Sequence, residues 1–391
     1  MVLVTLAIVV ATLSSNAPSP LYGLYQQLWG FSSAALTFVF AAYAGGVLLA
    51  MFLVGPLSDR VGRRTVMFPS LGVVILAALV FCFARNLTWL VAARLLAGIG
   101  TGSLVSAASA ALMEVDPDGD RQRAAMIATT GFTAGAASGP ALSALALHFG
   151  WWPTRLPFVV VAAVAAAVAL GLKLLPWSGP ETESAPFLLR SWRPQRVSVP
   201  REMAWPFLLA ATGIGLSWSV GSIFAALGPT FATQLLGVRD RSLAGLVVVG
   251  FQVCGGIAQV RAGSHSPRQM LRLGPVVMAA GLMVWVAAFF SKSPALFVLG
   301  TVITASGFGA TFVGSAAVVN RGAQPEKRGE VVSALYSVGY LTMALPVIGV
   351  GYGADHLGLK PTLLLFTGGI VTGSALLARA AATLRDIDAA R

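Results

Sequence analysis

Gly55-Pro56-Leu57-Ser58-Asp59-Arg60-Val61-Gly62-Arg63-Arg64 lies between two long apolar runs. Only 10% of the 391 residues are charged, yet Asp59, Arg60, Arg63 and Arg64 fall within six positions. Such a knot of charge between apolar segments reads as a very short polar loop joining two membrane helices. Its two glycines let the backbone turn tightly, and its arginines fix the side of the bilayer on which the loop sits.

The rest of the chain fits that frame. Hydrophobic residues make up 57% of it, whereas a soluble domain carries about 25% charged residues. Apolar runs cover approximately 2–26, 33–57, 66–84, 89–113, 124–147, 156–176, 204–234, 242–262, 273–290, 295–319, 330–353 and 361–382. Most reach the roughly 20 residues that cross a hydrocarbon core as a helix. None shows the period-2 alternation of a membrane β-barrel. The expected fold is an all-α integral membrane protein of twelve transmembrane helices.

A net charge of +12 raises the question of a nucleic-acid partner, and the distribution answers it. With the 58–64 loop taken as cytoplasmic, nineteen Lys and Arg fall in loops on its side and six in the opposite loops. Arg94 alone lies inside a span. A positive-inside bias explains the basic balance without nucleic acid and predicts a multi-pass plasma-membrane protein with both termini cytoplasmic. Cys82 and Cys254 sit in apolar spans of different halves, so neither a disulfide nor a metal site is expected. Met1 opens directly onto an apolar run with no basic n-region, which argues against a cleaved signal peptide. The missing polar N-terminal tail is what a start a few residues short would leave. There is no phosphate-binding Gly-x-x-x-x-Gly-Lys-Ser/Thr loop and no nucleophile elbow, so neither catalysis nor a cofactor is expected.

Trp177 to Met203 is the longest polar stretch and carries Pro180, Pro186, Pro194 and Pro200. It reads as a cytoplasmic linker (177–203) between a six-helix bundle at 1–176 and another at 204–391. The halves repeat in parallel. Gln27-Leu28-Trp29-Gly30 returns as Gln234-Leu235-Leu236-Gly237, and Gly55, Arg60 and Arg64 meet Gly263, Arg268 and Arg272. Gly98-x-Gly100 meets Gly307-x-Gly309, and Gly131, His148 and Gly150 meet Gly339, His356 and Gly358. Arg94 has Ile303 opposite it and Asp59 has Pro267, so the scaffold does not need either charge twice. Parallel halves are one known way to build a transporter around a site near the bilayer midplane.

The run at 55–64 resembles the loop 2–3 signature of the major facilitator superfamily of transporters, Gly-x-Leu-x-Asp-Arg-x-Gly-Arg-Arg/Lys. That resemblance implies two parallel six-helix pseudo-repeats. It also implies a conformational latch at Gly55, Asp59, Arg60, Gly62, Arg63 and Arg64, against the plainer reading of a turn that only sets topology. Arg94, followed by Gly98, Gly100 and Gly102, resembles the family's fourth-helix signature, which is linked to proton or substrate coupling. The alternative is an arginine that snorkels to the outer interface. Gly131, Gly135 and Gly139, one turn apart and followed by Pro140, resemble the fifth-helix signature of the family's drug antiporters. Ser143-Ala144 stands where that signature ends in two glycines. Small residues at this spacing also serve plain helix packing. Asn16, Pro18, Ser19, Pro20, Tyr22 and Tyr25 interrupt or end the first span, which predicts a broken helix beside a cavity. Tyr43, Tyr336 and Tyr340, with Ser106, Thr130 and Gln252, are further candidates to line it.

None of the fourteen acidic residues sits in the middle of a span. Proton coupling would have to run through Asp59, a substrate carboxylate or the substrate's own titration. A lone intramembrane Arg94 fits an anionic or zwitterionic substrate better than a lipophilic cation. The resemblance implies a secondary transporter of a small organic molecule working by alternating access, an exporter of drugs or metabolites with protons as a candidate coupling ion. The expected partners are that small molecule and the lipid bilayer, and the expected state is a monomer. An importer of a sugar or organic acid on the same fold is one alternative. A membrane sensor or scaffold that has lost transport is another.

Overall fold

The computed structural model describes residues 1–54, 57–58, 61–174, 197–238, 240–324 and 327–384. Among them are thirteen α-helices and no strand. They are α1 (Val2–Asn16), α2 (Tyr22–Trp29), α3 (Ser33–Leu53), α4 (Arg63–Cys82), α5 (Leu87–Glu114), α6 (Arg121–Phe149) and α7 (Leu156–Leu174), then α8 (Ala204–Gln234), α9 (Arg241–Ala262), α10 (Pro267–Ser291), α11 (Pro294–Gly322), α12 (Arg328–His356) and α13 (Leu359–Ala380). A 3₁₀ turn at Ser19–Leu21 joins α1 to α2 into one interrupted span. Eleven of the resulting segments are long and apolar enough to cross a membrane. The twelfth, α6, is 29 residues long, and its glycines, serines and threonines lower its hydropathy.

Several helices begin earlier than their apolar runs, for local reasons. The tenth helix in order, α10, starts at Pro267 and not near 273. Ser266 caps it by accepting from Gln269 N, and Pro267 occupies the first helical position. Arg268 and Arg272 therefore lie on helix, where the repeat had placed them beside a loop. Asn86 caps α5 through Trp89 N and Ser293 caps α11 through Leu296 N. Gly62 precedes α4 at φ +90°, a backbone region that side chains disfavour, so this turn requires glycine.

The chain packs as two compact units, Met1–Trp29 with Ala42–Arg196, and Gly30–Ala41 with Val197–Arg391. The first two turns of α3 thus pack with the second unit. Asp355, in the last turn of α12, explains why. Its carboxylate accepts from Ser33 N at 2.9 Å and Ala34 N at 2.8 Å, satisfying two amides that open α3. Beside it, a Cβ on Gly351 would stand 2.8 Å from Ser33 O, so only glycine lets the two helices approach this far.

Candidate functional site

In the first unit the site is built by α5. Arg94, Gly98 and Gly102 lie at i, i+4 and i+8 on one face. A Cβ on Gly98 would strike the carbonyl of Tyr43, and one on Gly102 would crowd Val47 and Ala50 at 3.1 Å. Gly46 of α3 is equally committed, facing Leu95 O and Ile99 N. These glycines bring α3 against α5 and so set the Tyr43 ring over the guanidinium, with Arg94 Cζ 4.7 Å from the ring centroid. The Tyr22 ring lies at 6.0 Å. Gly100 points elsewhere, to Val74 of α4.

Arg94 is 1% exposed, so it faces the interior of the unit and does not snorkel. Its Nη1 donates to Ser15 O. That contact follows from the chain break. The α-helix stops at Asn16, and in the 3₁₀ turn that follows Leu21 N bonds Pro18 O and not Ala17 O, so carbonyls at the end of α1 need other donors. Arg94 satisfies Ser15 O, and Ser143 Oγ satisfies Ala17 O at 2.6 Å. Thr101 Oγ1 adds a bond to Ala11 O at 3.0 Å. A buried cation in a membrane span is costly. Here a carbonyl and one or two aromatic faces offset part of that, the latter by about 0.5–2 kcal/mol.

The small residues of α6 pack on the same broken segment. Cβ atoms on Gly135 and Gly139 would collide with the backbone at Val9 and Leu13, while Gly131 faces Thr5. Pro140 is buried one residue further along. Asn16 spends its amide locally, donating to Thr12 O at 2.9 Å and Ser15 Oγ at 3.0 Å. The buried hydroxyls of Tyr22 and Tyr25 have no hydrogen-bond partner among the described residues. Ser106 and Thr130 are exposed and Gln252 half-buried.

The second unit holds Tyr336 and Tyr340, both gathered by Trp218 of α8. Ring centroids are 6.0 Å apart for Trp218–Tyr336 and 4.8 Å for Trp218–Tyr340, with Phe312 at 6.1 Å from the same indole. Trp218, Phe312, Ser15 and Thr101 were not singled out by sequence, and Ser143 only as a departure from a glycine pattern. The break at Pro18–Pro20 was the available signal for a donor such as Ser143, because carbonyls left without donors at a helix break must find them on neighbouring helices.

Gly62, Arg63 and Arg64 lie at the other end of the first unit. Arg63 pairs with Glu114 at 3.1 Å and donates to Ser58 Oγ at 2.7 Å. Arg64 Nη2 donates to Leu172 O at 2.6 Å, near the C-terminal end of α7, where the helix dipole favours a cation. Gly55, Asp59 and Arg60 lie outside the described residues. The next connection on this face is tied by Asp116, which accepts from Asp118 N, Asp120 N and two nitrogens of Arg123. Burial works to raise the Asp116 carboxyl, but Arg123 and the two amides outweigh it and hold it below the ordinary carboxylate range.

Twelve helical spans among the described residues, eleven of them long and apolar enough to cross a membrane, define a multi-pass membrane protein. A family model described as Major Facilitator Superfamily matches residues 4–347, and the chain belongs to that family. It is 33% identical over 238 residues to a gallate transporter of Pseudomonas putida, across 59% of this chain and 48% of that protein. It is 26% identical over 260 residues to the multidrug transporter MdfA of Yersinia pestis, across 62% and 59%. The matches thus span about half the length of these relatives. A crystal structure of a D-xylose-proton symporter superposes with a TM-score of 0.78 over 99% of this chain and 97% of that one. At 13% identity that likeness concerns the fold alone.

Proposed function

We propose that the protein is a secondary transporter of small aromatic carboxylates, working by alternating access with Arg94 as the anion's anchor. The carrying observation is the buried Arg94 guanidinium held between Ser15 O and the Tyr43 ring. A guanidinium offers five donors in a planar fork suited to a carboxylate, and aromatic walls suit a ring. Gallate, named in one relative, joins those two features in one molecule. Export is the direction we assign, because the α6 glycine face that carries the antiporter-like pattern grips the broken segment beside Arg94. The arginine loop at 62–64 is taken as cytoplasmic, with Asp59 completing the latch.

Proteoliposomes with an imposed pH gradient test this reading, against protein-free liposomes to subtract passive permeation of neutral acids. Gallate and benzoate are expected to move and ethidium is not. Arg94→Gln is expected to lower carboxylate flux at least tenfold, with partial recovery in Arg94→Lys. Accumulation driven by an acid interior marks proton exchange, the exporter's mode. Accumulation driven only by an alkaline interior would make the same site an importer's. Equal movement of ethidium in wild type and Arg94→Gln would overturn the anion reading.

A further inference from the structure

The first unit has a cleft at the opposite end of α4 from Arg63 and Arg64. A cavity of about 200 Å³ opens among Tyr25, Trp29, Phe81, Cys82, Arg85 and Arg155. It lies where α2 and α4 end and α5 and α7 begin. Its wall is rigid: Tyr25 stacks on Trp29 at 5.0 Å, and Phe81 stacks on Phe158 at 4.5 Å. Tyr25 is 1% exposed, and its hydroxyl has no hydrogen-bond partner among the described residues.

The charge balance of this end is one-sided. The segments that form it, 22–29, 83–86 and 150–155, contain Arg85 and Arg155 and no Asp or Glu. Both arginines are exposed, and neither forms a salt bridge among the described residues. Around them Phe83, Phe149, Trp151 and Trp152 are exposed, the aromatic belt of a helix end at headgroup depth. Leu28, 57% exposed, extends the rim with apolar surface. Two cations beside an aromatic wall and an apolar rim make a receptor for an oxyanion attached to an apolar body.

We propose that this cleft binds a phosphate oxyanion, with Arg85 and Arg155 as its charge partners and the Tyr25–Trp29 stack as its wall. The oxyanion has two sources, the headgroup of an anionic phospholipid whose chains run along Leu28 and Phe83, or free phosphate. Arg94 does not line this cleft, and the proposal does not depend on the transport reading.

Cys82 lines the cleft and reports its occupancy. In a Cys254→Ala background, the whole chain is placed in phosphatidylcholine nanodiscs with or without phosphatidylglycerol, and Cys82 alkylation by neutral N-ethylmaleimide is timed. Phosphatidylglycerol is expected to slow labelling at least threefold. That protection should vanish in Arg85→Gln/Arg155→Gln and persist in Arg85→Lys/Arg155→Lys. Surface potential alone would shift labelling equally in all three, so equal protection in the Gln pair overturns the proposal. Protection by inorganic phosphate in pure phosphatidylcholine assigns the free source, and protection by phosphatidylglycerol alone assigns the lipid. Labelling indifferent to both overturns it as well. Unchanged elution on gel filtration shows that the Gln pair is folded.

Discussion

Gly98-x-Gly100 in α5 and Gly307-x-Gly309 in α11 have the same spacing and exchange their neighbours. Gly98 admits α3, the second span of its half, and Gly100 admits α4, the third. Gly307 instead admits α10, the third span of its half, at Met278 and Gly274. Gly309 admits α9, the second span, at Gly255 and Gln259. Glycine spacing therefore encodes how closely helices approach, and not which helix comes. The consequence is chemical. In the first unit the close approach sets Tyr43 over Arg94. In the second it presses backbone on backbone, and two turns beyond Met278 along α10 buried Trp285 packs on Phe224 at 4.6 Å and Phe289 at 4.8 Å.

The contrast separates packing from binding. Gly98→Ala and Gly307→Ala each drive a Cβ into backbone that cannot yield, at a cost of about 1–3 kcal/mol. Both are expected to unfold at lower temperature in detergent. Only Gly98→Ala should also weaken carboxylate binding, by at least tenfold, because it displaces Tyr43 from Arg94. Equal loss of binding in Gly307→Ala would show that the distinction is false.

The next pair is Ser143 and its counterpart in the second half, Gly351. Ser143 donates to Ala17 O, whereas Gly351 leaves room for α3. Ser143→Ala strands a buried carbonyl and should destabilise by about 1 kcal/mol. Ser143→Gly, which restores the glycine of the drug-antiporter pattern, should be no better. Thermal unfolding of the two variants side by side decides it. On the other side of the comparison, Asp355→Asn removes a charge from the first turn of α3, worth about 0.3–1 kcal/mol. Faster hydrogen exchange at Ser33 and Ala34, with no change around Arg94, is the expected result.

Asp116 gives the smallest effect, and it depends on pH. Its carboxyl titrates below its ordinary value when folded, so its contribution is complete above about pH 3.9. It is lost as the pH falls through the depressed folded value. Amide exchange at Asp118 and Asp120 should quicken on acidification in wild type, and be quick and pH-independent, after correction for intrinsic rates, in Asp116→Asn.

Much of this was legible in the residues. Apolar run lengths gave the helices, because in lipid every backbone group must be paired within its own segment. Pro18 and Pro20 announced the break between α1 and α2. The starts were less legible. Counting apolar residues ignores charged first turns, so α10 was placed late although Ser266-Pro267 announces it. Arg94 could be read as an interior cation. Its partner Ser15 O could not, because that pairing depends on how far α5 approaches α1. Trp218 lay hidden for a similar reason, since an aromatic in an apolar span carries no sign of the rings it will meet.

The central claim is that Arg94 anchors an aromatic carboxylate. Isothermal titration of the purified protein with gallate, and with the neutral amide of the same acid, tests it most directly. The account predicts that wild type binds the carboxylate at least tenfold more tightly than the amide, and that Arg94→Gln binds the two alike. Undiminished preference for the carboxylate in folded Arg94→Gln would contradict it.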